Sequence, residues 1–189
     1  MTEHSIPVGD FDKFPGSEYD YALDLAEEIY WGATHMNFTM YITWTLVDYP
    51  GRRNDWGYTS LMYTDKSGKY RPNKRFYALG HYSRFISEGW VLTATTGSTS
   101  AADASRVDPL VMSAWVNPER DRAVAVAVNR GASRFASVDG FLTDEVEVWV
   151  TTESTRSLEL VGTYPVESGR VNVFIPARSI VSIVDKETI

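Results

Sequence analysis

Two kinds of periodicity divide this chain. In its first half, Ala22, Leu25, Ala26, Ile29 and Ala33 recur at the spacing of one helical face. Ser17, with Asp20 three residues on, supplies a capping-box start, and Asp24, Glu27 and Glu28 fall on the other faces. Before this helix, residues 1–8 read as the end of a strand running into a loop through Gly9, Pro15 and Gly16. After it, residues 38–47 alternate Phe38, Met40, Ile42, Trp44 and Leu46 with Thr39, Tyr41, Thr43, Thr45 and Val47. Neither set is truly polar, which predicts a strand covered on both sides, as in a parallel sheet. A stretch rich in Gly, Arg, Asn and Asp, from Asp48 to about Tyr70, predicts a long loop. Pro72 and Asn73 then open a second helix over 74–86, with Phe76, Leu79, Ser83 and Ile86 spaced for a buried face. This succession of strands and helices is α/β in character.

Past Gly89 the period changes to two. Residues 110–116 (LVMSAWV) and 123–128 (AVAVAV) flank Asn117-Pro118-Glu119-Arg120-Asp121, which predicts a hairpin. Residues 145–151, 171–175 and 179–184 continue a series of short strands, separated by turn residues such as Gly131, Gly140, Gly162, Gly169 and Pro176. That pattern predicts an all-β sandwich, with the small, polar residues 97–108 as a flexible loop upon it. Composition breaks at the same place. Of 25 aromatic residues, 19 lie in residues 1–92 and six in residues 93–189. We therefore set a domain boundary at 88/89.

Charge and residue types narrow the chemistry. The formal net charge is −7, and neither sign forms a block, which argues against the clustered basic footprint of a nucleic-acid-binding protein. No apolar run reaches the roughly 18 residues of a membrane span, and residues 1–8 do not read as a secretory signal. The chain has no cysteine, so it has neither disulfides nor thiolate chemistry. Its three histidines, His4, His35 and His81, are too scattered for a histidine-based metal site. No metal or organic cofactor is expected.

Three segments, taken in order, resemble the C-terminal part of glycoside hydrolase family 30. Met1-Thr2-Glu3-His4-Ser5 resembles the family's W-x-T-E segment, in which the Glu ends the seventh strand of a (β/α)8 barrel. Thr43-Trp44-Thr45-Leu46-Val47-Asp48 resembles the eighth strand. Residues 73–90 (NKRFYALGHYSRFISEGW) resemble the run that links the last barrel helix to a β-sandwich side domain, and this segment is the most specific. The last hundred or so residues fit that sandwich, including residues 125–129, 149–152 and 176–184. The resemblance implies a fold in two parts: residues 1–88 as a C-terminal barrel fragment, about strands seven and eight, and residues 89–189 as an antiparallel β-sandwich. A whole barrel takes about 250 residues. Two departures stand out. The arginine pair that glucuronoxylan-specific members carry after the eighth strand is absent there, and Arg52 and Arg53 come a few residues late. The family's Arg-Pro before the closing Gly is Ser87-Glu88 here.

The same resemblance assigns chemistry. A retaining glycosidase needs two carboxyls about 5–5.5 Å apart, one attacking the anomeric carbon and one protonating the leaving oxygen. It implies Glu3 as the nucleophile; read without it, Glu3 is a solvated acid near a chain end. The partner acid should follow an Asn on strand four, and no Asn-Glu pair occurs in this chain, so the acid/base is expected from a barrel portion outside it. Asp48, Asp55 and Asp65 are more simply solvated loop acids. Trp44, at a strand end, is a candidate sugar platform against core packing as the alternative, and Tyr49 and Trp56 are weaker substrate-binding candidates. His4 reads as structural and His81 as packing or surface. Arg84 and Glu88 read as a helix-surface pair, and Trp115 and Trp149 as sandwich core. The implied protein is a secreted retaining β-glycosidase acting on a polysaccharide or oligosaccharide, with a xylan-like glycan favoured, and inactive without its missing barrel portion. Two alternatives remain open: a non-catalytic carbohydrate-binding or structural sandwich, and one half of a split glycosidase.

Overall fold

The computed structural model describes residues 17–43, 45–48, 60–65, 67–93 and 109–186. The chain divides into two compact units, Met1–Leu79 and Gly80–Ile189.

In the first unit, helix α1 (Glu18–His35) starts where the sequence predicts. The Ser17 amide donates to Asp20 Oδ2 at 2.7 Å and the Asp20 amide to Ser17 Oγ at 3.2 Å, so two amides with no partner inside the helix are satisfied reciprocally. Ala22, Leu25 and Ala26 are wholly buried, as expected, while Ala33 is half-buried. Tyr19, Leu23 and Tyr30 are buried too, so the covered face is wider than the apolar stripe. At its end Asn37 takes a left-handed φ of 51°, and the Phe38 amide turns back to the Gly32 carbonyl at 2.9 Å. The Phe38 ring lies where a Cβ on Gly32 would sit, 2.4 Å from Cδ2, so this close approach needs glycine.

The strand expected over 38–47 shrinks to β1 (Val47–Asp48). Met40, Ile42 and Leu46 are 74%, 67% and 59% exposed. The alternation is there, but among the described residues nothing supplies the covering layer that a doubly buried strand requires. The predicted long loop is a second correction. It contains β2 (Met62–Thr64) and runs into β3 (Tyr70–Pro72), which form an antiparallel hairpin, while β2 runs parallel to β1. Turn chemistry explains it: Asp65 Oδ1 accepts from the Ser67 amide (2.9 Å), the Ser67 hydroxyl (2.6 Å) and the Lys69 amide (3.0 Å), and Gly68 holds a φ of 78°. No closed barrel forms among the described residues.

Helix α2 (Lys74–Ser83) ends earlier than the predicted 86 and buries a different face. Arg75, Ala78, His81 and Tyr82 are buried, whereas Phe76 is 41% exposed and Ser83 is exposed. Two polar side chains, Arg75 and His81, lie inside, which an apolar pattern does not register.

Among the described residues of the second unit, every strand pairing is antiparallel. Its strands are β4 (Val91–Thr93), β5 (Leu110–Val116), β6 (Ala123–Asn129), β7 (Arg134–Asp139), β8 (Glu145–Thr152), β9 (Glu159–Pro165), β10 (Arg170–Ile175) and β11 (Ser179–Asp185). Six form one sheet in the order β4-β5-β6-β11-β8-β9, and β10 and β7 form a two-stranded sheet. The hairpin expected at residues 117–121 joins β5 to β6, with the Asn117 amide on the Arg122 carbonyl and Asn117 Oδ1 accepting from the Asp121 and Arg122 amides. β4, β7 and β9 were not predicted: β4 is three residues long, β7 carries Phe135 on its wet side, and β9 contains Gly162 and faces a bulge at Val148/Trp149.

The central strands of the six-stranded sheet, β6 and β11, are buried along their whole length. Ala123, Ala125 and Ala127 of β6, Val146, Val148 and Val150 of β8, and Val181 and Ile183 of β11 join Val171, Val173 and Ile175 of β10 in one apolar cluster. Small alanines on β6 leave room for the branched residues of the second sheet. On the opposite face lie Ser182 and Thr151, which His81 meets, and Trp149, whose ring Phe85 touches at 5.6 Å between centroids.

One carboxylate ties the edges of this core together. Asp185 is wholly buried, and its oxygens accept from the Ala123 amide at 2.6 Å, the Leu142 amide at 3.1 Å and the Thr143 hydroxyl at 2.8 Å. An amide in its place would aim N–H at N–H. Asp185→Asn is therefore expected to lower the unfolding free energy by about 2–3 kcal/mol, read from denaturant melts. An unchanged midpoint would show that these bonds are replaceable by water.

Candidate functional site

The four residues assigned from the sequence, Glu3, Trp44, Tyr49 and Trp56, all lie outside the described residues, as does Asp55. What the structure does describe is the frame around the segment that carries Trp44. The Leu61 amide donates to the Thr45 carbonyl at 3.0 Å and the Met62 amide to the Leu46 carbonyl at 2.8 Å, fixing one side of that segment to β2. On the preceding side, Arg75 Nη2 donates to Thr43 Oγ1 at 3.3 Å. The residues flanking Trp44 are thus held from two elements.

Behind them lies a polar cluster that sequence reasoning missed. The Tyr41 hydroxyl donates to Glu28 Oε2 at 2.8 Å. Burial, and then the Glu28 charge beside it, push the Tyr41 phenol well above its ordinary range. Arg75 is only 2% exposed, and burial lowers its pKa against the opposing pull of Glu28. Its Nε and Nη1 have no hydrogen-bond partner. Such a guanidinium is costly inside a unit unless its charge is balanced. The Glu28 charge opposes that cost, and the protonated Tyr41 hydroxyl ties residue 41 to Glu28 of α1. The only signal in the sequence was an arginine on the inner face of α2, and helical spacing alone counts that as a polar position.

The start of α2 is held with equal care. Asn73 is buried, its Nδ2 donates to the Ser60 carbonyl at 3.0 Å, and its amide donates to the Leu61 carbonyl at 2.9 Å. Glu18 Oε1 accepts from the Lys74 amide at 2.7 Å, placing a negative charge at the helix N-terminus. The run 73–90, the most specific in the sequence, therefore contains a turn locked to β2.

The remaining sequence expectations are placed as follows. Asp65 is spent on its turn and on Arg71 (3.0 Å), and the hydroxyl and amide donors lower its carboxyl to about 2. It is a turn residue. His81 is the packing residue of the two options, wholly buried between Ser182 and Thr151. The Arg84 guanidinium stacks over the Trp149 ring at 4.2 Å, so its partner is an indole where a pairing with Glu88 was expected. Trp149 is half-buried and donates from Nε1 to Glu147 at 3.1 Å, whereas Trp115 is buried against Tyr82. Among the described residues no group of three His, Asp or Glu is arranged to hold a metal ion, and no helix is long and apolar enough to cross a membrane.

No family sequence profile matches the chain. No curated protein matches it in sequence. Solved structures do match in fold. A glycoside hydrolase family 30 subfamily 8 xylanase from Clostridium acetobutylicum superposes with a TM-score of 0.71 at 23% identity, over 97% of this chain and 41% of that one. The catalytic domain of a family 30 xylanase C from Talaromyces cellulolyticus gives 0.72 at 22% identity, over 91% and 36%. A conserved exported protein from Bacteroides fragilis gives 0.69 at 20% identity, over 97% and 36%. The chain spans about two fifths of the length of these proteins. In fold it is similar to the C-terminal part of glycoside hydrolase family 30 enzymes.

Proposed function

We propose that this chain is the C-terminal portion of a retaining β-glycosidase that hydrolyses a β-linked polysaccharide by double displacement, with a xylan-like glycan as the favoured substrate. The observation that carries the reading is the match of nearly the whole chain to family 30 xylanases, in agreement with the three ordered sequence segments. Residues 1–88 are the end of the barrel and residues 89–189 its sandwich side domain. Glu3 attacks the anomeric carbon while an acid/base carboxyl, supplied from barrel strand four outside this chain, protonates the leaving oxygen. The same group then takes a proton from water as the glycosyl ester is hydrolysed. Trp44 offers an indole face to the apolar side of the sugar, with Tyr49 and Trp56 beside it. The chemistry needs no cofactor. Similarity to an exported protein supports secretion.

The exposed alternate residues Met40, Ile42 and Leu46 favour a body that is completed by other strands. Residues 1–189 alone are accordingly expected to self-associate at high concentration. A monomer with a sharp melt in sedimentation and calorimetry would favour the non-catalytic reading. The decisive test is a chimera in which the first six βα units of a family 30 xylanase precede this chain. Release of reducing sugar from β-1,4-xylan supports the proposal. A folded chimera that releases none overturns it. Activity only on mixing the two pieces as separate chains would identify a split enzyme.

A further inference from the structure

The two-stranded sheet turns one face to the core and the other to water. Val171, Val173 and Ile175 of β10 join the core cluster, and Ala136 and Val138 of β7 pack against it. The outer positions place three cross-strand pairs in a row: Phe135 opposite Phe174, Ser137 opposite Asn172, and Asp139 opposite Arg170. Phe135 is 81% exposed and Phe174 46%, with ring centroids 5.3 Å apart at 61°. Two large rings held in water side by side, on a face otherwise polar, are not explained by packing.

We propose that this outer face of β7 and β10 is an auxiliary glycan-binding surface that takes a neutral β-linked polysaccharide. The choice of polymer rests on the glycosidase reading given above, while the existence of the face does not. Three features select the occupant. The first is chemistry. A pyranose presents a C–H-rich face and a rim of hydroxyls, so it asks for an aromatic ring with hydrogen-bonding groups alongside. Here the rings are followed along both strands, at a two-residue spacing of about 7 Å, by Ser137 and Asn172 and then by Asp139 and Arg170.

The second is charge. Arg170 Nε donates to Asp139 Oδ1 at 2.6 Å and Nη2 to Oδ2 at 3.2 Å, so the charged row cancels itself. In a chain of net charge −7, this face offers no attraction to a polyanion. The third is size. Two rings and four polar side chains make a small patch, against about 800 Å² per partner in a stable protein interface. A second copy of the chain would be held weakly. A strand of sugars needs no more room than this.

The test is native affinity electrophoresis of the full chain at low concentration, in gels containing β-1,4-xylan, a mixed-linkage β-glucan, or no polysaccharide. Wild type is expected to be retarded by at least one polymer, and the double variant Phe135→Ala, Phe174→Ala to bind about tenfold more weakly. Both rings are exposed, so the circular dichroism and melt of the variant should match wild type. Leu142→Ala, at a residue 50% exposed elsewhere on the unit, should be retarded like wild type. Equal retardation of wild type and double variant overturns the proposal, as does absence of retardation in every gel. Loss of an oligomer in the polysaccharide-free gel, with retardation unchanged, also overturns it and makes the face an interface between copies. Xylan hydrolysis by the chimera without retardation by this face would sink this inference alone. Retardation that depends on the two rings, in a chimera that hydrolyses nothing, would sink the glycosidase reading alone.

Discussion

Replacing Glu3 with glutamine in the barrel-completed chimera is expected to abolish xylan hydrolysis, with a loss of at least about 10⁴-fold in kcat and an unchanged melt. The magnitude follows from the role. A carboxylate nucleophile forms the glycosyl ester that divides the reaction into two steps, and an amide can neither attack nor leave in its place. Losses on removing a nucleophile are usually of this size, because the remaining site still binds and orients substrate. In a companion Glu3→Ala chimera, small anionic nucleophiles such as azide should restore part of the turnover by entering the space that the truncated side chain leaves, giving a glycosyl azide of inverted configuration. That product separates a nucleophile from an acid that only stabilises the fold. A Glu3→Gln chimera with undiminished kcat would remove Glu3 from the mechanism and leave the fold assignment intact.

The second unit is expected to lose stability as the pH falls below about 6, and His81 is the reason. Its ring is wholly buried, with Nδ1 2.7 Å from Ser182 Oγ and Nε2 2.8 Å from Thr151 Oγ1. The Ser182 hydroxyl donates its own hydrogen to the His81 carbonyl at 3.0 Å, so Ser182 Oγ accepts from Nδ1–H. Thr151 Oγ1 accepts from the Leu158 amide at 2.8 Å, and its hydrogen goes to Nε2. The neutral ring is therefore fully satisfied as one tautomer. Burial lowers its pKa from 6.5 to about 3.

The unfolded chain keeps the ordinary value, so between those limits the unfolded state binds more protons than the folded one. Stability is then complete above the unfolded pKa and declines as pH falls toward the folded one, by roughly 3–5 kcal/mol over the whole interval. Urea melts of wild type and His81→Gln from pH 4 to 7 check it. The variant should be weaker at pH 7, by about 2 kcal/mol, and should show a flatter dependence on pH. Parallel curves would place the acid sensitivity elsewhere.

The start of α1 was legible because capping and helical period are local: Ser17 and Asp20 need only each other, and a turn of helix brings Ala22, Leu25 and Ala26 to one side. Strands β5, β6, β8, β10 and β11 were legible because alternation of side chains is also local, and residues 117–121 carry their own turn chemistry. Three ordered segments, residues 1–5, 43–48 and 73–90, together pointed to the family whose solved structures share this fold. The assigned site residues Glu3, Trp44, Tyr49 and Trp56 rest on the sequence, and they remain proposals for the chimera to test.

Other features were settled only by partners distant in the chain. Residues 38–47 carry the pattern of a buried strand, yet Met40, Ile42 and Leu46 stand in water, because a pattern states what a strand requires and cannot supply the neighbours that cover it. In α2, Arg75 and His81 are buried while Phe76 and Ser83 are exposed, and Ser182 and Thr151 supply the hydrogen bonds that make burying the His81 ring tolerable. Asp185 reads in sequence as an ordinary acid near a chain end, and only the convergence of Ala123, Leu142 and Thr143 makes it a buried tie. Interactions a few residues long decide which segments can be helix or strand. Which polar groups lie inside, and which apolar faces stay uncovered, depended on what tertiary contacts brought to each of them.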